Sequence, residues 1–317
     1  MESERMLHAK IDQVGVDTQR EVVKEEKRQR VDNQPYASFL SEMFMRAFKQ
    51  HNYRWVPIGS MDHLNAATLE EFMAFYKKYY VPNNATLSIA GDIDVAQTKA
   101  MITKYFGDIP AGATVQRPSA YEPPLGGEVV DTIYDNIQIP AAVVAYRTPG
   151  FATREAYVLD MISSYLSDGK SSKLYKKMVD DNKQALQVGA FNVGQEDYGM
   201  YLVFGLPLGE VSLETLVGEM EAEISAVRSG LISESDYQKL QNKFENQFVN
   251  SNSSVEGIAN SLARNFMLYG DTSLINKEID IYRSVTREEI QQVAEAYLKP
   301  SQRVVIDYLP TPKEETK

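Results

Sequence analysis

The chain has 317 residues, 43% of them hydrophobic, which exceeds the usual span of one hydrophobic core, so two folded domains are the natural expectation. Its 33 basic side chains are outweighed by 44 acidic ones, and the net charge of −11 argues against a general affinity for nucleic acid or anionic lipid and favours a peptide, a neutral ligand or a protein partner. The absence of cysteine excludes disulfides and thiolate zinc sites but leaves the compartment open.

No apolar run approaches the roughly 20 residues that span a bilayer, and the charged start Met1–Met6 has no apolar signal core. To about Val31 the chain is dense in charge, with Met6, Ile11, Val22 and Val23 at helical spacing, which predicts two exposed helices separated near Gly15. No N-cap precedes Met1. A third helix follows Pro35 and carries Phe39, Leu40, Met43, Phe44 and Phe48. Thr68-Leu69-Glu70-Glu71 has the form of a capping box, with Thr68 as N-cap and Glu71 reaching back to it, and it opens an amphipathic helix that Pro82 stops. Asn84 to Ala90 then reads as a strand, Val95 to Phe106 as a helix, and the Pro/Gly-rich stretch from Pro110 to Gly127 as a linker and domain boundary.

Beyond the linker the pattern predicts strands near 128–135 and 141–147, helices near 153–167 and 171–181, and a hairpin of 185–193 with 199–206. Helices follow near 211–228, 233–250, 254–269, 274–283 and 286–297, with a last strand from Arg303 to Tyr308. The order is α+β rather than alternating βαβ.

An internal repeat runs through this order. Thr68, Glu70, Glu71, Tyr79 and Pro82 recur as Thr286, Glu288, Glu289, Tyr297 and Pro300, each pair separated by 218 positions, and both copies then enter a strand. The same offset carries the 233–250 helix onto 15–32, where the charged helix lies. It carries the 211–228 helix onto −7 to 10 and the strand near 128 to about −90, so the first copy is expected to lack roughly its opening 90 residues.

The three histidines, His8, His51 and His63, show no paired spacing that would hold a metal, and they read as structural or surface residues. No phosphate-binding glycine loop and no Gly-x-Ser-x-Gly elbow is present. By composition, Gln19-Arg20-Glu21-Val22-Val23-Lys24-Glu25-Glu26 is a solvated helix laced with ion pairs.

That segment nevertheless resembles the one carrying the third zinc ligand in the pitrilysin/insulinase (M16) metallopeptidases, the family that also includes the mitochondrial processing peptidases. Tyr80-Val81-Pro82-Asn83-Asn84, Ala90-Gly91-Asp92, Tyr105-Phe106-Gly107 and Ser171-Ser172-Lys173-Leu174-Tyr175 are similar to further family segments, and the resemblance covers nearly the whole chain, closest to small bacterial members. It implies two homologous LuxS/metallohydrolase-like halves, each an antiparallel sheet with packed helices. The remainder of a zinc-type half is then expected at 1–112, a linker at 113–127 and a complete second half at 128–317.

It also implies a zinc endopeptidase. Two histidines of a His-x-x-Glu-His helix and a glutamate some seventy-odd residues downstream hold the metal, and the helix's own glutamate acts as general base. Glu26 is the expected ligand and Glu25 the alternative, with Gln19 standing where relatives carry a supporting glutamate. The His-x-x-Glu-His helix falls in the stretch expected to be missing, so no catalytic residue and no bound zinc is expected in this chain, although zinc is expected in the full-length protein. Asp180 and Gln187 occupy the positions of an Arg and a Tyr that bind peptide substrate in many relatives. That departure implies either a second M16 subunit supplying the pair or a homodimer. The competing expectation is a non-catalytic M16-like scaffold or partner subunit. A bacterial protein of the cell envelope, periplasm or cytoplasm fits equally.

Overall fold

The computed structural model describes residues 1–312, and by packing they form two compact units. Within the described residues the larger comprises 33–56, 120–248 and 276–312, and the smaller 1–32, 57–119 and 249–275.

The larger unit is built on a five-stranded sheet of β1 (Val129–Asp135), β2 (Ala141–Pro149), β3 (Ala185–Gly194), β4 (Tyr198–Pro207) and β5 (Arg303–Pro310), in the order β1-β5-β2-β4-β3. The sheet is antiparallel except where β1 lies parallel to β5. Strand β5, last in sequence, is thus an interior strand between β1 and β2, with Val143 opposite Ile306 and Val144 opposite Val305. Alternation along the strands sorts the core into two layers. Ala142, Val144, Tyr146, Tyr201, Val203 and Val305 face one way. They meet α7 (Arg154–Ser167), α8 (Leu213–Ser229), α9 (Glu234–Ser251) and α12 (Arg287–Tyr297) through Leu159, Ile162, Leu216, Ile224, Leu240 and Ile290. Ala141, Val143, Ala145, Leu202, Val304, Ile306 and Tyr308 face the other way and are covered by Met43, Phe44, Ala47 and Phe48. Those four lie on or directly after α3 (Phe39–Ala47), the helix expected after Pro35. Residues 175–181, expected as an ordinary helix, are wound as a π-helix.

The smaller unit holds α1 (Glu2–Leu7), α2 (Gln13–Lys27), α4 (Met61–Ala66), α5 (Leu69–Tyr79), α6 (Val95–Phe106) and α10 (Val255–Tyr269). The break between the first two helices falls at 8–12, ahead of Gly15, because the Asp12 carboxylate accepts from the Gly15 N–H at 2.8 Å and makes Asp12 the N-cap. The expected strand at 84–90 does not form: after a 3₁₀ turn at Pro82–Asn84 the segment has no ladder partner among the described residues, and a strand without a neighbour has nowhere to place its backbone hydrogen bonds.

The repeat holds in three dimensions. Both capping boxes form, and α5 and α12 have bounds separated by the same 218 positions, as do the turns Pro82–Asn84 and Pro300–Gln302. Shifted by that offset, β5 falls on 85–92 and α3 falls within α10. The units therefore exchange equivalent pieces: 33–56 of the first copy belongs to the larger unit, and 249–275 of the second copy belongs to the smaller. The second copy also serves as an internal control for burial. Ile290 is 1% exposed and Val305 6%, whereas their counterparts Phe72 and Leu87 are 42% and 50% exposed. In the larger unit α7, α8 and the sheet cover these positions, and the described residues of the smaller unit contain no such layer.

Candidate functional site

The motif helix α2 is oriented by Arg20. Its guanidinium donates to the carbonyls of Leu64 at 3.0 Å and Ala67 at 2.6 Å, where α4 ends, and to Asp17 at 2.7 Å. A planar fork on two carbonyls satisfies acceptors that a helix end leaves open, and it fixes the rotation of α2 against α4. One and a half turns further along, Glu26 pairs with Arg30 at 2.8 Å. Glu25 accepts from Gln29 at 2.9 Å and from Arg28 at 3.2 Å, and these hydrogen bonds hold its carboxyl below the usual value. Gln19 is exposed on the same helix.

The second copy shows what the corresponding positions face there. Glu26 corresponds to Phe244, which is buried and stacks on Tyr282 at 4.3 Å; Tyr282 in turn stands edge-on to Tyr157 of α7 at 5.2 Å. Glu25 corresponds to Lys243, which pairs with Asp168 in the loop after α7.

The histidines are not brought together. His8 bonds Glu4 at 2.7 Å just after α1, and His63 lines a cleft of about 540 Å³ with Glu71, Phe72 and Phe75. His51 is buried in the other unit, where its Nδ1 accepts from the Tyr53 N–H and its Nε2 contacts Asp197 at 3.1 Å. Beside it lies a buried cluster that sequence reasoning missed. The carboxylate of Glu122, from the linker, accepts the backbone N–H groups of Lys49 (2.9 Å), Gln50 (2.9 Å) and His51 (2.7 Å), with Arg147 at 3.5 Å. Burial pushes this carboxyl up, but the three N–H groups and Arg147 outweigh it and hold it below its usual value. An acidic residue flanked by Tyr121 and Pro123-Pro124 was the only signal in the sequence. Asp180 is exposed near the end of the π-helical turn, and Gln187 is exposed on β3 opposite Leu206, just past a bulge.

Among the described residues there is no group of three or more His, Cys, Asp or Glu able to hold a metal ion. Glu26 offers one carboxylate with no imidazole beside it, so these residues by themselves do not fit a catalytic zinc site. Among the described residues no helix is long and apolar enough to cross a membrane.

Comparison with known proteins gives a consistent picture. The family model described as "Peptidase M16 inactive domain" matches residues 66–244. The zinc protease PqqE of Helicobacter pylori is 26% identical over 291 residues, which are 91% of this chain and 65% of that protein. The probable zinc protease PqqL of Escherichia coli is 32% identical over 108 residues, 34% of this chain and 12% of that one. Among solved structures, a protease from Helicobacter pylori superimposes with a TM-score of 0.85 at 24% identity, covering 95% of this chain and 73% of its own. A peptidase M16 inactive domain from Pseudomonas fluorescens does so with a TM-score of 0.83 at 14% identity, covering 99% and 74%. The chain therefore spans less than two thirds of the length of PqqE while nearly all of it is matched. With more than half of its residues under the family model, and with the fold in agreement, the chain belongs to the M16 peptidase family.

Proposed function

We propose that this chain is the larger part of a zinc-dependent M16 endopeptidase subunit that cleaves peptides or unfolded segments, and that these 317 residues alone are inactive. Residues 1–112 are the remainder of the zinc-type half, 113–127 the linker and 128–317 the second half. The observation that carries the reading is the paired exposure of Phe72 and Leu87 against buried Ile290 and Val305, because it marks on the first copy the place of a sheet and helix layer that the second copy possesses. Glu26 is the ligand offered to zinc. The position of Phe244, turned through Tyr282 toward α7, favours it over Glu25, whose counterpart Lys243 turns to the loop beyond. With the ligand set incomplete, no catalytic step is assigned to these residues. Asp180 and Gln187 offer neither the cation nor the phenol of relatives, which supports pairing with a second M16 subunit that carries them, or a homodimer.

The test compares the 317-residue chain with a protein extended upstream in its reading frame, using metal analysis and hydrolysis of an unfolded peptide. The 317-residue chain is expected to hold no stoichiometric zinc and to cleave nothing. The extended protein is expected to carry His-x-x-Glu-His, to bind stoichiometric zinc, to lose it with Glu26→Gln and to keep it with Glu25→Gln. Tight zinc in the 317-residue chain, or loss with Glu25→Gln instead, refutes the assignment. An upstream frame without that motif leaves the non-catalytic partner reading, which the match of residues 66–244 to an inactive-domain model favours.

A further inference from the structure

The two outer strands of the larger unit's sheet differ. Along β3 the register slips between Ala185 and Gln187, a bulge that hinders further pairing. Strand β1 keeps an unbroken register from Val129 to Asp135, carries no proline, glycine or lysine, and has no described residue paired with its outer side. The Thr311 N–H donates to the Asp135 carbonyl at 2.9 Å across the β1/β5 ladder. By alternation Val129, Asp131, Ile133 and Asp135 turn their N–H and C=O toward β5, and Val130, Thr132 and Tyr134 turn theirs outward. The Thr132 N–H, lacking a strand to bond, donates at 2.8 Å to the carboxylate of the preceding residue, Asp131. The side chains of these three outward residues lie on the face opposite Val129 and Ile133, and Val130 is 65% and Tyr134 58% exposed.

We propose that β1 is a homodimer edge: two copies of this chain pair β1 with β1, antiparallel about a twofold axis through Thr132, and join their five-stranded sheets into one. That axis sets residues with outward backbone groups opposite one another, Thr132 facing its own copy and Val130 facing Tyr134, so the strand pairs over its whole length. Thr–Thr and aromatic–β-branched pairs are both favourable across antiparallel strands. The strand's two carboxylates do not meet, because Asp131 comes opposite Ile133 and Asp135 opposite Val129. Each is also held within its own chain, Asp131 by the Arg46 guanidinium at 2.7 Å and Asp135 by the Tyr36 N–H at 3.1 Å. Pairing gives the Thr132 N–H a carbonyl in place of Asp131, which keeps Arg46 through its other oxygen. Neither zinc nor Glu26 enters this contact. The net charge of −11 on each copy opposes association, so a single strand pair makes a weak dimer that salt strengthens.

Sedimentation velocity of the 317-residue chain over a concentration series is expected to show a reversible dimer of twice 35.8 kDa, tighter at high salt. Thr132→Pro removes an N–H that the β1/β5 ladder does not use, so circular dichroism should be unchanged. It is expected to raise the dissociation constant about thirtyfold, as two reciprocal hydrogen bonds are lost. Tyr134→Asp, at an exposed position, should weaken the dimer in the same direction. Because the chain has no cysteine, Thr132→Cys supplies a single thiol at the axis, and a short bismaleimide should link two copies through it. A chain monomeric up to about 1 mM overturns the proposal, as does a dimer that neither Thr132→Pro nor Tyr134→Asp weakens, or one whose Thr132→Cys form does not crosslink.

Discussion

Replacing Glu122 with alanine tests how the first copy's segment 33–56 is held on the sheet of the larger unit. The carboxylate is buried and serves three successive backbone N–H groups at 2.7–2.9 Å with Arg147 at 3.5 Å, so its removal strands four donors at a site with little access to water. Each stranded donor costs roughly 1–3 kcal/mol, and partial hydration of the vacated space recovers some of that. A net loss of about 3–5 kcal/mol, typical of breaking a buried charged pair from one side, is therefore expected. Glu122→Gln keeps the shape and one acceptor and should lose less, about 1–3 kcal/mol. The chain's one tryptophan, Trp55, lies in the held segment with the Arg54 guanidinium 5.1 Å from its ring centre, so its fluorescence reports release directly. Urea titration followed by Trp55 emission and by far-ultraviolet dichroism should show the emission change moving to lower urea in the alanine variant. A loss below ~1 kcal/mol would show that Met43, Phe44 and Phe48 hold the segment without the carboxylate, and the reasoning would fail.

The same carboxylate sets an acid dependence. Its folded value lies below the usual one, so its contribution is fully present above the unfolded carboxyl value near ~4.3 and is lost as pH falls through the folded value. Stability of the parent should thus drop more steeply below about pH 4.5 than that of Glu122→Gln, measured by urea midpoints across the range; parallel curves would contradict the role. The repeat supplies a second paired test. Ile290→Ala should cost about 2–4 kcal/mol because the site is sealed by α7 and α8, whereas Phe72→Ala in the 317-residue chain should cost under ~1 kcal/mol. Equal costs would mean that Phe72 is covered in solution.

Much of the local structure was legible in the chain because its causes are local. Thr68 and Glu71, like Thr286 and Glu289, satisfy one another's helix-terminal groups within four residues, and those capping boxes formed where the sequence placed them. Periodicity found the hairpin of β3 and β4, and the motif of α2 with the repeat pointed to the M16 family that the comparisons show. What depended on partners far along the chain was not legible. The segment 84–90 has strand-like residues but no neighbour among the described residues, while its repeat counterpart β5 has one on each side and becomes an interior strand of a sheet. The exchange of 33–56 and 249–275 between units, the place of β5 between β1 and β2 and the burial of Glu122 under the end of α3 each join residues separated by tens to hundreds of positions. Sequence determines which groups need a hydrogen-bond acceptor or an apolar cover. Only tertiary packing decides which distant residue provides it, because those energies arise when the two surfaces meet and leave no periodic trace in either one.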